Sequence, residues 1–202
     1  MSLWGEAVRI LISFFLSTLF VQLGNCAAET TQDCPVKQHP ETMKRSYTGR
    51  YVNPAEGFDV LIPRGLVGRD FDEPSYQRGF VILFQDQEES LVVDGEHNSL
   101  YWKNAREAAD FDSSSYRDDG RKIVFSKGDI LLLDRRRAYS VTTSYTCPGS
   151  GIQYSSITAL ALGVDREYVY TLRWEGKSDE LENGRKIMPS LYSTWHFRKP
   201  TG

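Results

Sequence analysis

Asp94, Glu96 and His97 form the densest group of metal-type ligands in the chain, three such side chains within four positions. If the apolar run Leu91-Val92-Val93 continues through them as a strand, Asp94 and Glu96 point to one side. Asp94-Gly95 also reads as a turn closing that strand, with His97 placed just ahead of a helix. Zinc takes roughly three or four protein ligands and calcium roughly six to eight oxygens, so the run needs distant partners to hold a cation. His39 and His196 are the other histidines, and nothing in their spacing brings them to the run. A metal-dependent or hydrolytic enzyme centred on Asp94, Glu96 and His97 is therefore the alternative reading, and no cofactor is expected.

The second chemical feature is Arg135-Arg136-Arg137, the only basic run. Guanidinium groups bind carboxylates and phosphates through paired hydrogen bonds, so the run is the candidate partner-binding surface. It equally suits a solvated hairpin tip whose charges guard a sheet edge. Nucleophilic chemistry finds no support. Ser150 lies between glycines in Pro148-Gly149-Ser150-Gly151, a turn context without the strand-to-helix elbow. No glycine-rich nucleotide fingerprint is present. Trp102, Trp174 and Trp195 sit at patterned positions and are read as core.

The three cysteines divide by compartment. Ile10 to Val21 carries no charge, follows Arg9, and leads into Gly24-Asn25-Cys26-Ala27-Ala28. That is the layout of a secretory signal peptide, expected to occupy residues 1–27. A spanning helix needs about 20 apolar residues and this run has twelve, although Ala7 to Leu23 could stretch across a thin bilayer. The alternative is a lipoprotein signal ending before Cys26, since Leu23-Gly24-Asn25-Cys26 has the Leu and Gly of such a motif. Either way Cys26 leaves the pool of folding thiols, and Cys34 and Cys147 remain as an even pair. In an oxidising compartment that pair is expected to form a disulfide. The expected location is extracytoplasmic: periplasmic, secreted, or lipid-anchored.

These residues must be held by strands and two helices. Tyr51-Val52 and Phe58 to Ile62 flank a turn at Asn53 to Gly57, and Phe80 to Phe84 reads as a strand covered on both faces. Asn98 or Ser99 can cap a helix in which Tyr101, Ala105, Ala108 and Ala109 share a face. From Asp112 to Gly120 the pattern breaks. Ile123 to Phe125 and Ile130 to Leu133 then flank Lys127-Gly128-Asp129, expected as a tight hairpin turn. Alternation at Tyr139, Val141, Thr143 and Tyr145, and at Tyr168, Tyr170, Leu172 and Trp174, predicts a sheet with one face on a core. A second helix is predicted from Ser178, ended or kinked by Pro189, with Leu191 to Phe197 alternating as a closing strand.

Composition bounds the rest. The chain has 202 residues, with 27 acidic and 24 basic side chains giving a net charge of −3. So even a balance offers no electrostatic case for a nucleic-acid partner. The order of hairpins, helix, meander, helix and closing strand is α+β. Tyr51-Val52-Asn53-Pro54 running into Gly57-Phe58-Asp59-Val60-Leu61-Ile62-Pro63-Arg64-Gly65 resembles the opening of PsbP-like (Mog/PsbP) domains. Tyr168 to Leu172, then a helix and Ser193 to Phe197, is similar to their closing segment. The resemblance covers Tyr51 to Phe197 and points to the exported bacterial type of unknown role. It implies a single α/β/α sandwich around a curved antiparallel sheet, placed at residues 47–200 after an N-terminal arm of residues 28–46. It carries no catalytic residue set and implies a binding and assembly scaffold. The expectation is thus an exported, non-enzymatic protein acting through a sheet face or loop surface. Its partner would be another exported or envelope protein, with membrane contact only through a lipid anchor.

Overall fold

The computed structural model describes residues 43–71, 78–84, 88–118, 122–147 and 150–201. The expected signal segment, Cys26, Cys34 and His39 lie outside the described residues. Among the described residues are eleven strands and two long helices: β1 Ser46–Tyr47, β2 Arg50–Asn53, β3 Phe58–Leu61, β4 Gly68–Arg69, β5 Gly79–Leu83, β6 Ser90–His97, α1 Ala105–Asp118, β7 Lys122–Leu133, β8 Arg136–Thr146, β9 Gln153–Leu162, β10 Tyr168–Lys177, α2 Leu181–Thr194 and β11 His196–Phe197. A 3-10 turn, Ser178–Glu180, leads into α2.

Eight strands form one antiparallel sheet in the order β1-β4-β5-β6-β10-β9-β8-β7, and β11-β3-β2 form a second, smaller one. Side-chain alternation gives the large sheet two working faces. On one face Leu91, Val93, Ala159, Ala161, Leu172 and Trp174 pack with Phe58 and Val60 of the small sheet and Met188 and Leu191 of α2. On the other, Ala108 and Ala109 of α1 sit on Val141, Leu160 and Val169. The architecture is the α+β layered sandwich anticipated above.

Four expectations about local structure are corrected, and three of them concern glycine or proline. Lys127-Gly128-Asp129 is no turn. β7 runs straight through it, pairing Gly128 with Val141, and the hairpin closes instead at Asp134-Arg135. Gly128 is required because the Tyr139 ring lies over it: a Cβ there would sit 2.1 Å from the Tyr139 hydroxyl. Asp94-Gly95 likewise does not end its strand. Gly95 pairs with Tyr170 inside β6, and a Cβ would stand 3.0 Å from Phe58. Glycine marks close approach at both places, not chain reversal.

Pro189 lies inside α2, which continues to Thr194, so the closing strand is only His196–Phe197. The carbonyl that Pro189 leaves without its helical donor belongs to exposed Arg185, where water can satisfy it. Finally, α1 starts at Ala105, and its cap is Asn104, whose side chain accepts from the Glu107 amide at 3.0 Å. Neither Asn98 nor Ser99 caps it, and Tyr101 lies outside it, 82% exposed. The helix also persists through the Ser and Asp residues after Asp112, to Asp118.

Candidate binding site

The three consecutive arginines do not make one patch. Arg135 occupies the hairpin turn, exposed, with φ of 66°, and Asp134 beside it has φ of 45°. Positive φ at both central residues is what a two-residue hairpin of this twist demands. Beyond the turn, strand alternation sends Arg136 and Arg137 to opposite faces. Arg136 lies over the Phe197 ring at 5.1 Å, a cation–π contact. Asp134 strengthens that attachment by accepting from the Phe197 amide at 3.0 Å, with His196 Nδ1 at 3.7 Å from its other oxygen. Arg136 therefore helps fasten the hairpin to β11.

Arg137 points to the α1 face and opens into a cleft of about 410 Å³. Its walls come from three separate elements. The start of α1 contributes Lys103, Asn104, Ala105 and Arg106; β8 contributes Arg137, Ala138 and Tyr139; and the β9–β10 turn contributes Leu162, Gly163, Val164 and Arg166. Four cations thus stand around a lining that also carries Ala105, Leu162, Val164 and Tyr139. Arg106 lies 3.7 Å from Asp110 one helical turn on, and 5.9 Å from the Tyr139 centroid. Among the described residues, no carboxylate pairs with Lys103, Arg137 or Arg166. The volume falls within the roughly 300–1,000 Å³ of small-ligand and side-chain pockets.

Asn98 shapes the rim. It is 4% exposed, and its amide nitrogen donates to the Trp102 carbonyl at 3.0 Å and the Arg166 carbonyl at 2.9 Å. Its oxygen accepts from the Trp102 amide at 3.0 Å. One side chain thereby ties the approach to α1 to the β9–β10 turn. Arg166 is held there at φ of 64°, a conformation that non-glycine residues adopt only when their surroundings impose it. Backbone strain of this kind concentrates at functional sites.

The carboxylate group separates instead of converging. In β6 Asp94 pairs with Thr171, Glu96 with Val169 and His97 with Tyr168. Asp94 and Glu96 therefore face the α1 side and His97 the other. His97 meets Tyr168 edge-on, with centroids 6.1 Å apart. Asp94 is buried and accepts from the Arg78 amide at 2.6 Å, while the Arg78 guanidinium stands 3.3 Å from Glu56. Burial pushes the Asp94 carboxyl up to about 6, with Glu96 and Glu56 adding to the rise and backbone donors opposing it. Burial also raises Glu96, against the pull of Arg173 and with a push from Asp112. Among the described residues no three His, Cys, Asp or Glu side chains are placed to hold a metal ion.

Comparison with known proteins places the fold. No family model and no curated protein matches the chain. Solved structures do match. The solution structure of cyanobacterial PsbP (CyanoP) from Synechocystis aligns at a TM-score of 0.54 and 15% identity, covering 87% of this chain and 99% of that one. A crystal structure from Bacteroides thetaiotaomicron aligns at 0.51 and 12% identity over 77% of this chain, which spans 50% of that protein. LpqN, involved in cell envelope biogenesis of Mycobacterium tuberculosis, aligns at 0.47 and 10% identity, covering 77% of this chain and 93% of that one. The chain has a PsbP-like fold, as its sequence resemblance implied. No helix among the described residues is long and apolar enough to cross a membrane.

Proposed function

We propose that the protein is an exported, non-catalytic binding or assembly protein, and that its binding surface is the basic cleft between α1, β8 and the β9–β10 turn. The observation that carries this reading is the set Lys103, Arg106, Arg137 and Arg166 around one aliphatic-lined cleft, in a chain whose overall charge is negative. The partner is another exported or envelope protein that presents carboxylates. Export is supported by the uncharged Ile10–Val21 run and its small-residue exit, with removal of residues 1–27, or lipidation at Cys26, as the two processing routes. In that compartment Cys34 and Cys147 pair.

The test is quantitative capture from an envelope extract of the source organism. Wild-type protein retains a partner that elutes with salt, because exposed charge pairs are screened by ions. The double substitution Arg137→Gln/Arg166→Gln weakens retention roughly tenfold and flattens the salt dependence, since rim charges contribute about 0.2–1 kcal/mol each. Equal retention by wild type and variant removes the cleft from the binding surface. Arg136→Gln, which loosens the hairpin from Phe197, serves as a stability control.

A further inference from the structure

The cleft's chemistry specifies more than a preference for negative charge. Building on the binding reading above, we infer that it receives a short acidic peptide segment in which carboxylates flank one aliphatic side chain. Three observations lead there.

First, the cations come from three elements and surround the cleft, while the lining between them carries the aliphatic side chains of Ala105, Leu162 and Val164. Val164 is 69% exposed, a large apolar side chain set in the wall of a basic pocket. A ligand that satisfies both features has charges at its edges and an apolar group between them. An extended peptide provides this, because alternate side chains along it point the same way.

Second, part of the seat that a compact anion such as phosphate would use is already taken. The first turn of a helix offers backbone amides to anions. Here Asn104 accepts from the Glu107 amide at 3.0 Å, and Glu107 accepts from the Lys103 amide at 2.8 Å and from the Asn104 side chain at 2.9 Å. The protein's own side chains occupy the start of α1. The guanidinium and ammonium groups around the cleft suit carboxylates spaced along a chain.

Third, the rim is preformed. Asn98 holds both the Trp102 and Arg166 carbonyls, so the cations on either side of the cleft are carried by backbone already fixed in place. Preorganisation of this kind lowers the ordering cost of binding a flexible segment.

The experiment is fluorescence anisotropy on the full chain with three labelled synthetic nonapeptides. One carries a single central leucine with alternating Asp and Glu on both sides. The second replaces that leucine with serine, and the third replaces the acids with lysine. The leucine-containing acidic peptide binds, and the serine version binds at least fivefold more weakly. The lysine version does not bind. Arg137→Gln/Arg166→Gln weakens the acidic peptide at least tenfold and lowers its salt slope. Val164→Ser weakens it severalfold with the salt slope unchanged. Thermal midpoints of both variants within a few degrees of wild type show that the fold is intact. Equal affinity for the leucine and serine peptides overturns the inference. So does equal binding by wild type and the double arginine variant, or displacement of the peptide by millimolar inorganic phosphate. If the peptides fail while envelope capture still depends on Arg137 and Arg166, the inference falls and the binding reading stands. If capture is also indifferent to those arginines, both fall together.

Discussion

Asp94 is a buried carboxyl whose surroundings resist its ionisation, and that has a measurable consequence. Its folded value rises from the ordinary 3.8 to about 6, chiefly through burial. Between those two values the folded protein holds a proton that the unfolded chain has released. Stability supplied by the protonated group is therefore complete below the unfolded value and is lost as pH climbs through about 6. A shift of that size corresponds to roughly 3 kcal/mol at most. Asp94→Asn keeps an oxygen to accept from the Arg78 amide and carries no charge at any pH. Urea unfolding between about pH 4 and about pH 7 should show wild type losing stability relative to this variant as pH rises. A difference that stays constant over the range, or that reverses, removes Asp94 as a source of pH dependence. At this scale the sequence singled out Asp94 by its ligand chemistry, and the fold buries it. Asp94 and Glu96 share a face as strand periodicity allows, yet His97 is turned away by the same periodicity, so the three cannot close on one ion.

The elements show where local signals are ambiguous. Strand alternation at Tyr139 to Tyr145 and Tyr168 to Trp174 was legible because a half-buried strand must alternate. Glycine was not, because it marks both reversals and places where another group presses on the backbone. Gly184 tests the second meaning. It is the fourth residue of α2, where helix propensity alone favours alanine by about 1 kcal/mol. A Cβ there would meet Trp174 Cδ2 at 2.4 Å and Cε3 at 2.6 Å. The indole cannot retreat easily: it is fully buried, and its Nε1 donates to buried Glu89 at 2.6 Å. Gly184→Ala should therefore destabilise the protein by about 2 kcal/mol despite the propensity gain, the usual cost of overpacking a filled core. Thermal unfolding checks this, with a drop of roughly 5 °C expected for a chain of this size. A more stable variant would show that α2 is free to move off the sheet.

At the scale of the whole molecule, the candidate site is assembled from positions that sequence reading had no reason to join. Lys103 and Arg106 lie at the start of a helix, Arg166 in the turn between β9 and β10, and Arg137 in a contiguous basic run. Only the antiparallel order of β8, β9 and β10, with α1 laid across them, brings the four together. The same order separates the cleft from Cys147. That residue follows β8 at the end opposite the Asp134-Arg135 turn. It is buried with Tyr145 and Tyr154, and its amide donates to the Ile152 carbonyl at 3.0 Å. A bond from Cys34 to Cys147 would close a long loop, worth about 4–5 kcal/mol on an entropic model. It would act far from Arg137 and Arg166. Two outcomes are expected together. Non-reducing peptide mapping recovers the Cys34 and Cys147 peptides joined. Cys34→Ser, which leaves the Cys147 side chain in place, lowers the thermal midpoint by roughly 10 °C while leaving acidic-peptide affinity within about twofold, because distant sites contribute independently. Two alkylatable thiols in freshly prepared protein would refute the bond. A Cys34→Ser variant that keeps its midpoint but loses peptide affinity would place Cys34 in the binding surface instead of in the frame.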